Sequence, residues 1–191
     1  MCIRDSFNVT VFEDYLRMLK TCTEITGDSA AYKENGEKLA QEIDAIKKKA
    51  QGKDAGSAAV LTTYSGGTRV QSSSSQTGAM LAELGAENIA DTNKSLLSDY
   101  SLESLVKVDP DFIFLLPMGN TEEAAKKALE DQTTSNPAWQ DLTAVKKGHV
   151  VTLNPELFLY KPNDHWADAY EKLYEALYKL SLIHISEPTR P

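Results

Sequence analysis

The segment Phe112-Ile113-Phe114-Leu115-Leu116 is an apolar run without a single polar side chain. Successive side chains of an extended chain point to opposite faces, so a strand of this composition must be covered on both sides. Strands of that type lie inside parallel sheets that carry helices on both faces. The run therefore predicts an α/β domain with this strand inside the sheet.

Strand-like and helix-like segments alternate along the chain beyond Gly56. Apolar patterning predicts further strands at residues 58–63 and 149–153. It predicts helices, several of them ended by Gly or Asp-Pro, at residues 77–84, 101–108, 121–130 and 164–179. Such alternation predicts a Rossmann-like, doubly wound sheet with right-handed crossovers. Ligands of these sheets bind beyond the carboxyl ends of the strands.

Two helices are predicted ahead of this region. Residues 11–25 carry apolar side chains at three- and four-residue spacing, and Gly27 ends that helix. The second helix, residues 31–50, has a narrow apolar stripe on an otherwise charged surface, formed by Leu39, Ile43 and Ile46. A stripe this narrow suits a long helix that lies on a surface or bridges two bodies.

Composition and charge exclude several classes of function. The chain is 41% hydrophobic and 25% charged, as globular domains are. Its 20 Lys and Arg residues are spread along the chain and are outnumbered by 28 Asp and Glu, for a net charge of −8. We therefore expect no nucleic-acid partner. Cys2 and Cys22 are too few for a disulfide framework and lack the neighbours of a metal or redox motif.

No familiar catalytic or nucleotide-binding motif occurs in the sequence. Asp164, His165 and Asp168 offer metal ligands from one helical turn, but no fourth ligand is in view, so we expect neither a metal site nor a cofactor. The loops after the predicted strands carry side chains suited to stacking and hydrogen bonding. These features favour a binding protein, and a Rossmann-like enzyme domain of unknown activity remains the alternative.

The two ends of the chain resemble translated sequencing adapter. Residues 1–6 and 180–185 can be written as codon strings that are exact reverse complements of each other, which chance rarely produces. We expect residues 1–6 and 180–191 to be read-through, and exclude them from fold reasoning. The genuine sequence is then expected to be a fragment of a longer protein, with its true start missing.

Several motifs between Phe12 and Tyr178 occur in an order that resembles one family. They are the long helix at residues 31–50, Leu84-Gly85-Ala86-Glu87-Asn88-Ile89, Ser101-Leu102-Glu103, Asp109-Pro110-Asp111-Phe112-Ile113 and Asn136-Pro137-Ala138-Trp139, followed by Leu142, Ala144-Val145 and Gly148. In this order they resemble the later half of the class III solute-binding proteins of ABC transporters, which carry iron-siderophores, haem or cobalamin.

The resemblance implies two α/β lobes that are joined by one long helix and clamp a ligand between them. Residues 7–27 would be the last helix of the N-terminal lobe, residues 28–55 the inter-lobe helix and linker, and residues 56–179 the C-terminal lobe. The ligand would be an iron or cobalt chelate. The protein would be a monomer outside the cytoplasm, periplasmic or lipid-anchored, and would dock on the transmembrane subunits of an ABC permease.

The loops and segments beyond the predicted strands supply candidate residues at the cleft, and the resemblance implies an aromatic residue facing the cleft at Tyr64. The candidate ligand contacts are Tyr64, Arg69, Met118, Tyr160, Lys161 and Trp166. Other interpretations stay open: Tyr64 as a cover for the end of the sheet, Arg69 as a solvated loop residue, Met118 as a gap filler, and Trp166 as a core residue. Glu103 is the candidate permease-docking residue, and its alternative role is stabilisation of the helix N-terminus.

Overall fold

The structure is a computed structural model that describes residues 7–98, 100–119, 123–124, 127, 130–131 and 136–179. Its α-helices are α1 (Phe12–Thr26), α2 (Ser29–Tyr32), α3 (Lys38–Ala50), α4 (Gln76–Glu83), α5 (Ile89–Thr92), α6 (Ser95–Ser98), α7 (Leu102–Val108), α8 (Thr143–Lys146), α9 (Pro155–Phe158) and α10 (Trp166–Tyr178). Its strands are β1 (Ser57–Tyr64), β2 (Gly67–Gln71), β3 (Glu87–Asn88), β4 (Phe112–Pro117) and β5 (Val150–Thr152). A π-helical turn (Lys33–Glu37) joins α2 to α3.

The first two helical segments pack closely against each other. α1 ends at Gly27, whose φ of 74° is the left-handed conformation that glycine adopts without strain. The next helix begins after Asp28, whose carboxylate accepts the N–H of Ala31. Gly36 lies in the π-helical turn, where an added Cβ would be 3.2 Å from Leu19. The missing side chain therefore lets α1 approach the long helix.

The sheet is built around β1. β4 pairs with β1 in parallel, and β5 pairs with β4 in parallel. The short β3 pairs in parallel with the start of β1, while β2 pairs antiparallel with its second half. The carboxyl ends of β1, β4 and β5 therefore meet at one edge of the sheet, next to the β1–β2 hairpin.

Helices cover both faces of the sheet. Phe112, Phe114 and Leu116 of β4 belong to one core, which includes residues of α3, α4 and α10. Ile113 and Leu115 belong to the other, which includes residues of α5 to α8. All five side chains of this run are buried, as the continuous apolar run predicts. The α/β fold class with helices on both sides of a mainly parallel sheet is confirmed.

Tyrosine side chains of α10 contact the segment after the long helix and the end of α4. The Lys53 Nζ donates a hydrogen bond of 2.8 Å to the Tyr174 hydroxyl. The Tyr170 hydroxyl donates to Glu83 at 2.6 Å. Burial and the Glu83 carboxylate both raise the pKa of Tyr170. These contacts tie α3, α4 and α10 together along one seam.

Most of the helices and strands predicted from the sequence are present in the structure. The long helix, the strands at residues 58–63, 112–116 and 149–153, and the helices at residues 77–84, 101–108 and 164–179 are confirmed within a few residues. β2 was not predicted, because Gly66-Gly67 reads as a flexible turn and not as a hairpin. Much of the predicted helix at 121–130, and all of residues 1–6 and 180–191, lie outside the described residues.

A further expectation of the two-lobe prediction is wrong for the described structure. A fragment that lacks most of its N-terminal lobe is expected to expose apolar surface on α1 around Phe12 and Leu16, where that lobe would cover it. Phe12 is instead 4% exposed and packs edge-on against Trp166, with ring centroids 5.8 Å apart. The lobe boundaries themselves stay predictions.

Candidate functional site

Tyr64 and Met118 lie at neighbouring positions on the carboxyl edge of the sheet. β1 and β4 are in a register that pairs Thr63 with Pro117, so the next residue of each strand falls at the same level. The Met118 N–H donates a hydrogen bond of 2.7 Å to the Thr63 carbonyl, which continues the pairing beyond β4. Tyr64 is half-buried and Met118 is exposed. Two candidate contacts from distant parts of the sequence therefore share one edge.

Arg69 joins this pair through the β1–β2 hairpin. Its guanidinium carbon lies 5.4 Å from the centroid of the Tyr64 ring, within cation–π distance. The hairpin turn accommodates that ring because Gly66 has no side chain: an added Cβ would lie 2.8 Å from the Tyr64 ring. The sequence interpretation of this turn as merely flexible missed the requirement for a glycine. The hairpin presents an aromatic ring with a cation stacked on it.

Tyr160 and Lys161 lie in a rim segment that follows α9. Both side chains are exposed, Tyr160 at 59%. The backbone N–H of Tyr160 donates to the Pro155 carbonyl at 2.8 Å. The positive charge of Lys161 contributes to the lowered pKa of Asp14 on α1, after the Thr10 and Val11 backbone hydrogen bonds and Arg17. The charge of Lys161 is therefore close enough to α1 to act on Asp14.

The position of Trp166 corrects its candidate role in ligand contact. The side chain has no exposed surface and packs against Phe12 and Tyr15 of α1. Its indole nitrogen has no hydrogen-bond partner in the described part of the chain. A fully covered ring cannot touch a ligand at the surface, so Trp166 is a core residue. Its spacing with Tyr170 and Leu173 on α10 already indicated that role.

A cavity of about 420 Å³ adjoins the hairpin and includes residues that the sequence analysis did not single out as ligand contacts. Tyr64 lines it together with Thr68, Tyr100 and Asn136. The Tyr100 hydroxyl is buried without a hydrogen-bond partner among the described residues. Burial, and secondarily the charge of Glu103, raise the pKa of Tyr100 to about 12. The sequence feature that could have identified Tyr100 is its position directly before Ser101, the residue that caps α7.

Glu103 is exposed in the first turn of α7. The Ser101 hydroxyl caps this helix by accepting the N–H of Ser104 at 3.1 Å. Within the described ranges no ion pair involves Glu103, so its carboxylate faces solvent near the positive end of a helix. That geometry permits both predicted roles, docking and stabilisation of the helix N-terminus.

Two of the three residues weighed as metal ligands, His165 and Asp168, form a hydrogen-bonded pair. The His165 Nδ1 lies 2.8 Å from an Asp168 oxygen, and both side chains are exposed. Across the residues that the structure describes, no three His, Cys, Asp or Glu side chains are placed to hold a metal ion. Over the same residues, no helix is both long and apolar enough to cross a lipid bilayer.

The parallel sheet covered on both faces, preceded by a long helix, is the fold of the class III periplasmic binding proteins. A profile of the family described as periplasmic binding protein matches residues 4–157. The chain belongs to this family.

Individual relatives are more distant. The "High-affinity heme uptake system protein IsdE" of Staphylococcus aureus is 27% identical over 173 residues, which are 88% of this chain and 59% of that protein. The chain therefore spans about 59% of the length of this curated relative.

Solved structures share the fold at lower identity. An ABC transporter substrate-binding protein from Listeria monocytogenes superposes with a TM-score of 0.74 at 21% identity, over 92% of this chain and 67% of that chain. The triscatecholate siderophore-binding protein FeuA from Bacillus subtilis, complexed with ferri-bacillibactin, superposes with a TM-score of 0.68 at 22% identity, over 90% and 60%.

Proposed function

We propose that this chain is part of the substrate-binding component of a bacterial ABC importer for an iron or cobalt chelate, of the iron-siderophore, haem or cobalamin type. The observation that carries the proposal is the grouping of Tyr64, Arg69 and Met118 at the carboxyl edge of the sheet. An aromatic ring, a cation and a thioether together suit a large, partly aromatic, anionic ligand. The names of two relatives support two of these ligand classes: IsdE supports haem, and FeuA supports siderophores. Cobalamin as a ligand rests on the family resemblance alone.

The chain acts in this proposal as the C-terminal lobe with its connecting helix. Residues 7–27 are the last helix of the N-terminal lobe, residues 28–55 connect the lobes, and residues 56–179 form one wall of the cleft. The protein works as a monomer outside the cytoplasm, in the periplasm or anchored by a lipid. Glu103 pairs with an arginine of the permease, because guanidinium binds an exposed carboxylate bidentately.

The proposed role is binding and transport without catalysis. The charged candidates at the edge and rim, Arg69 and Lys161, are cations that attract an anionic chelate. The net charge of −8 disfavours binding of an anion to the rest of the surface. An anionic ligand would therefore bind at these local cations in preference to other parts of the surface. No resident cofactor is required.

Titration of the ¹⁵N-labelled chain with haemin, ferri-bacillibactin and cyanocobalamin tests this proposal. A cleft site takes its contact area from both walls, so we expect weak binding, with amide shifts confined to the residues around Tyr64, Met118 and Tyr160. Arg69→Ala should weaken those shifts, and Lys48→Ala, an equal charge change at an exposed position of α3, should not.

Three results would contradict the proposal. Amide shifts elsewhere in the molecule, or no shifts with any of the three chelates, would remove the edge of the sheet as the binding surface. Binding at micromolar concentration or tighter would show that one wall suffices, which contradicts the two-lobe arrangement.

A further inference from the structure

The rim segment that carries Tyr160 and Lys161 is built on a single helical turn. α9 is four residues long and begins after Asn154, whose side chain accepts the N–H of Glu156 at 2.9 Å. Isolated helices of this length are unstable in water, because the few hydrogen bonds of one turn do not offset the conformational entropy that is lost when the turn forms. The conformation of α9 therefore depends on contacts from outside the turn.

The last carbonyl groups of a helix have no partner within it. In α9 the carbonyls of Leu157 and Phe158 are two of these groups, and both accept hydrogen bonds from α4. The Gln76 Nε2 donates to the Leu157 carbonyl at 2.9 Å, and the Thr77 hydroxyl donates to the Phe158 carbonyl at 3.1 Å. Two adjacent side chains, 81 residues away in sequence, therefore cap α9.

The Thr77 hydrogen bond to the Phe158 carbonyl is buried, and the Gln76 hydrogen bond to the Leu157 carbonyl is partly buried. Thr77 has no exposed surface and Gln76 is 7% exposed. Phe158 is buried at 3% and anchors α9 in the core. A buried carbonyl that loses its donor cannot recover the bond from solvent, so removal of either donor is costly.

The first turn of α4 is itself held in place. The Ser75 hydroxyl accepts the N–H of Gly78 at 3.2 Å and donates to the Ser72 carbonyl at 2.8 Å. An added Cβ at Gly78 would lie 2.1 Å from the same Ser72 oxygen, so the helix and the turn are in direct backbone contact. This turn directly follows β2, the strand of Arg69. α4 therefore connects the hairpin to the rim segment.

We infer that Gln76 and Thr77 are positioning residues of the proposed ligand site. They do not touch the ligand. They cap α9 and so hold Tyr160 and Lys161 in one arrangement relative to the hairpin before ligand arrives, which lowers the entropy cost of binding. This inference rests on the proposed function for its consequence and on the α4–α9 hydrogen bonds for its geometry.

Hydrogen exchange of the 191-residue chain tests the capping. Thr77→Val removes the hydroxyl at nearly constant volume, and Thr77→Ser keeps it. We expect Thr77→Val to speed exchange of the Leu159 and Tyr160 amides by about tenfold or more relative to the core amide of Ile113. Thr77→Ser should stay near the wild type. Gln76→Met removes the other donor and should have the same local effect, even if Thr77→Val fails to fold.

Uniform acceleration at Ile113, Leu159 and Tyr160 would overturn the inference, because it would mean a general loss of stability. Failure of Thr77→Ser to restore slow exchange would also overturn it, since the hydroxyl would then not be responsible.

Haemin titration of the same variants, followed by amide shifts, tests the consequence for binding. We expect Thr77→Val to weaken haemin binding about three- to tenfold and Thr77→Ser to restore it. Equal affinity of wild type and Thr77→Val would overturn the positioning role. If haemin causes no amide shifts in the wild type, haem is not a ligand of this site and the proposed haem ligand is wrong. The hydrogen-exchange rates of Leu159 and Tyr160 would still show whether α4 caps α9.

Discussion

The phenolic hydroxyl of Tyr15 donates a hydrogen bond of 3.0 Å to the backbone carbonyl of Asn35. The acceptor lies in the π-helical turn of the long helix, where the regular i→i+4 pattern is interrupted. The Tyr15 ring lies 6.3 Å from the Trp166 ring, between centroids. α1 thus connects the irregular turn to the start of α10.

Tyr15→Phe should destabilise the chain by about 0.5–1.5 kcal/mol, because it removes one partly buried hydrogen bond and leaves the ring in place. Urea denaturation measures the change. Tyr32→Phe is the matched control, since its hydroxyl makes no hydrogen bond in the described part of the structure, and it should change the free energy of unfolding little. Equal losses in both variants would contradict a role for the Tyr15–Asn35 bond.

Trp166→Ala should cost about 3–5 kcal/mol of unfolding free energy, because it empties a large, fully buried site. Tyr160→Ala, at an exposed aromatic position, should cost less than about 0.5 kcal/mol. Denaturation of both variants separates a core residue from a surface residue. A small loss at Trp166 would show that its ring is not part of the core.

The exposed pair His165 and Asp168 predicts a pH effect. The hydrogen bond to Asp168, and then the charge of Asp164, raise the pKa of His165 above its usual 6.5. The stabilisation from this pair is complete below pH 6.5 and is lost as the pH rises through the folded-state pKa. NMR titration of the imidazole should show the pKa falling in Asp168→Asn, and falling less in Asp164→Asn. An unchanged pKa in Asp168→Asn would refute the contact.

Glu103→Arg distinguishes docking from helix stabilisation. If Glu103 only stabilises α7, the variant loses about 0.3–1 kcal/mol or somewhat more, and transport persists. If it docks, the binding protein that contains this lobe no longer stimulates the permease ATPase in vesicles, while chelate affinity is kept. Glu24→Arg makes the same charge change at an exposed position of α1 and is the control. Intact stimulation by Glu103→Arg would end the docking proposal.

Much of the architecture could be read from short stretches of sequence. The run of apolar residues in β4, the Ser101 cap of α7 and the glycine after α1 each depend on a few neighbouring residues. Their structural effects are local, since periodicity, capping and left-handed backbone conformations are properties of one turn or strand. The ordered motifs also pointed to the family. The candidate residues Tyr64, Arg69, Met118, Tyr160, Lys161 and Glu103 reach the surface as binding would require.

Tertiary structure alone decided which distant residues meet. The sequence predicts that Tyr64 and Met118 each follow a strand, but only the register of β1 and β4 makes them neighbours. Trp166 could have faced a cleft or the core, and packing of α1 buried it. The capping of α9 by Thr77 joins residues 81 positions apart. Such pairings carry no local signal, because they depend on the entropy and packing of the whole chain and not on the preference of any single segment.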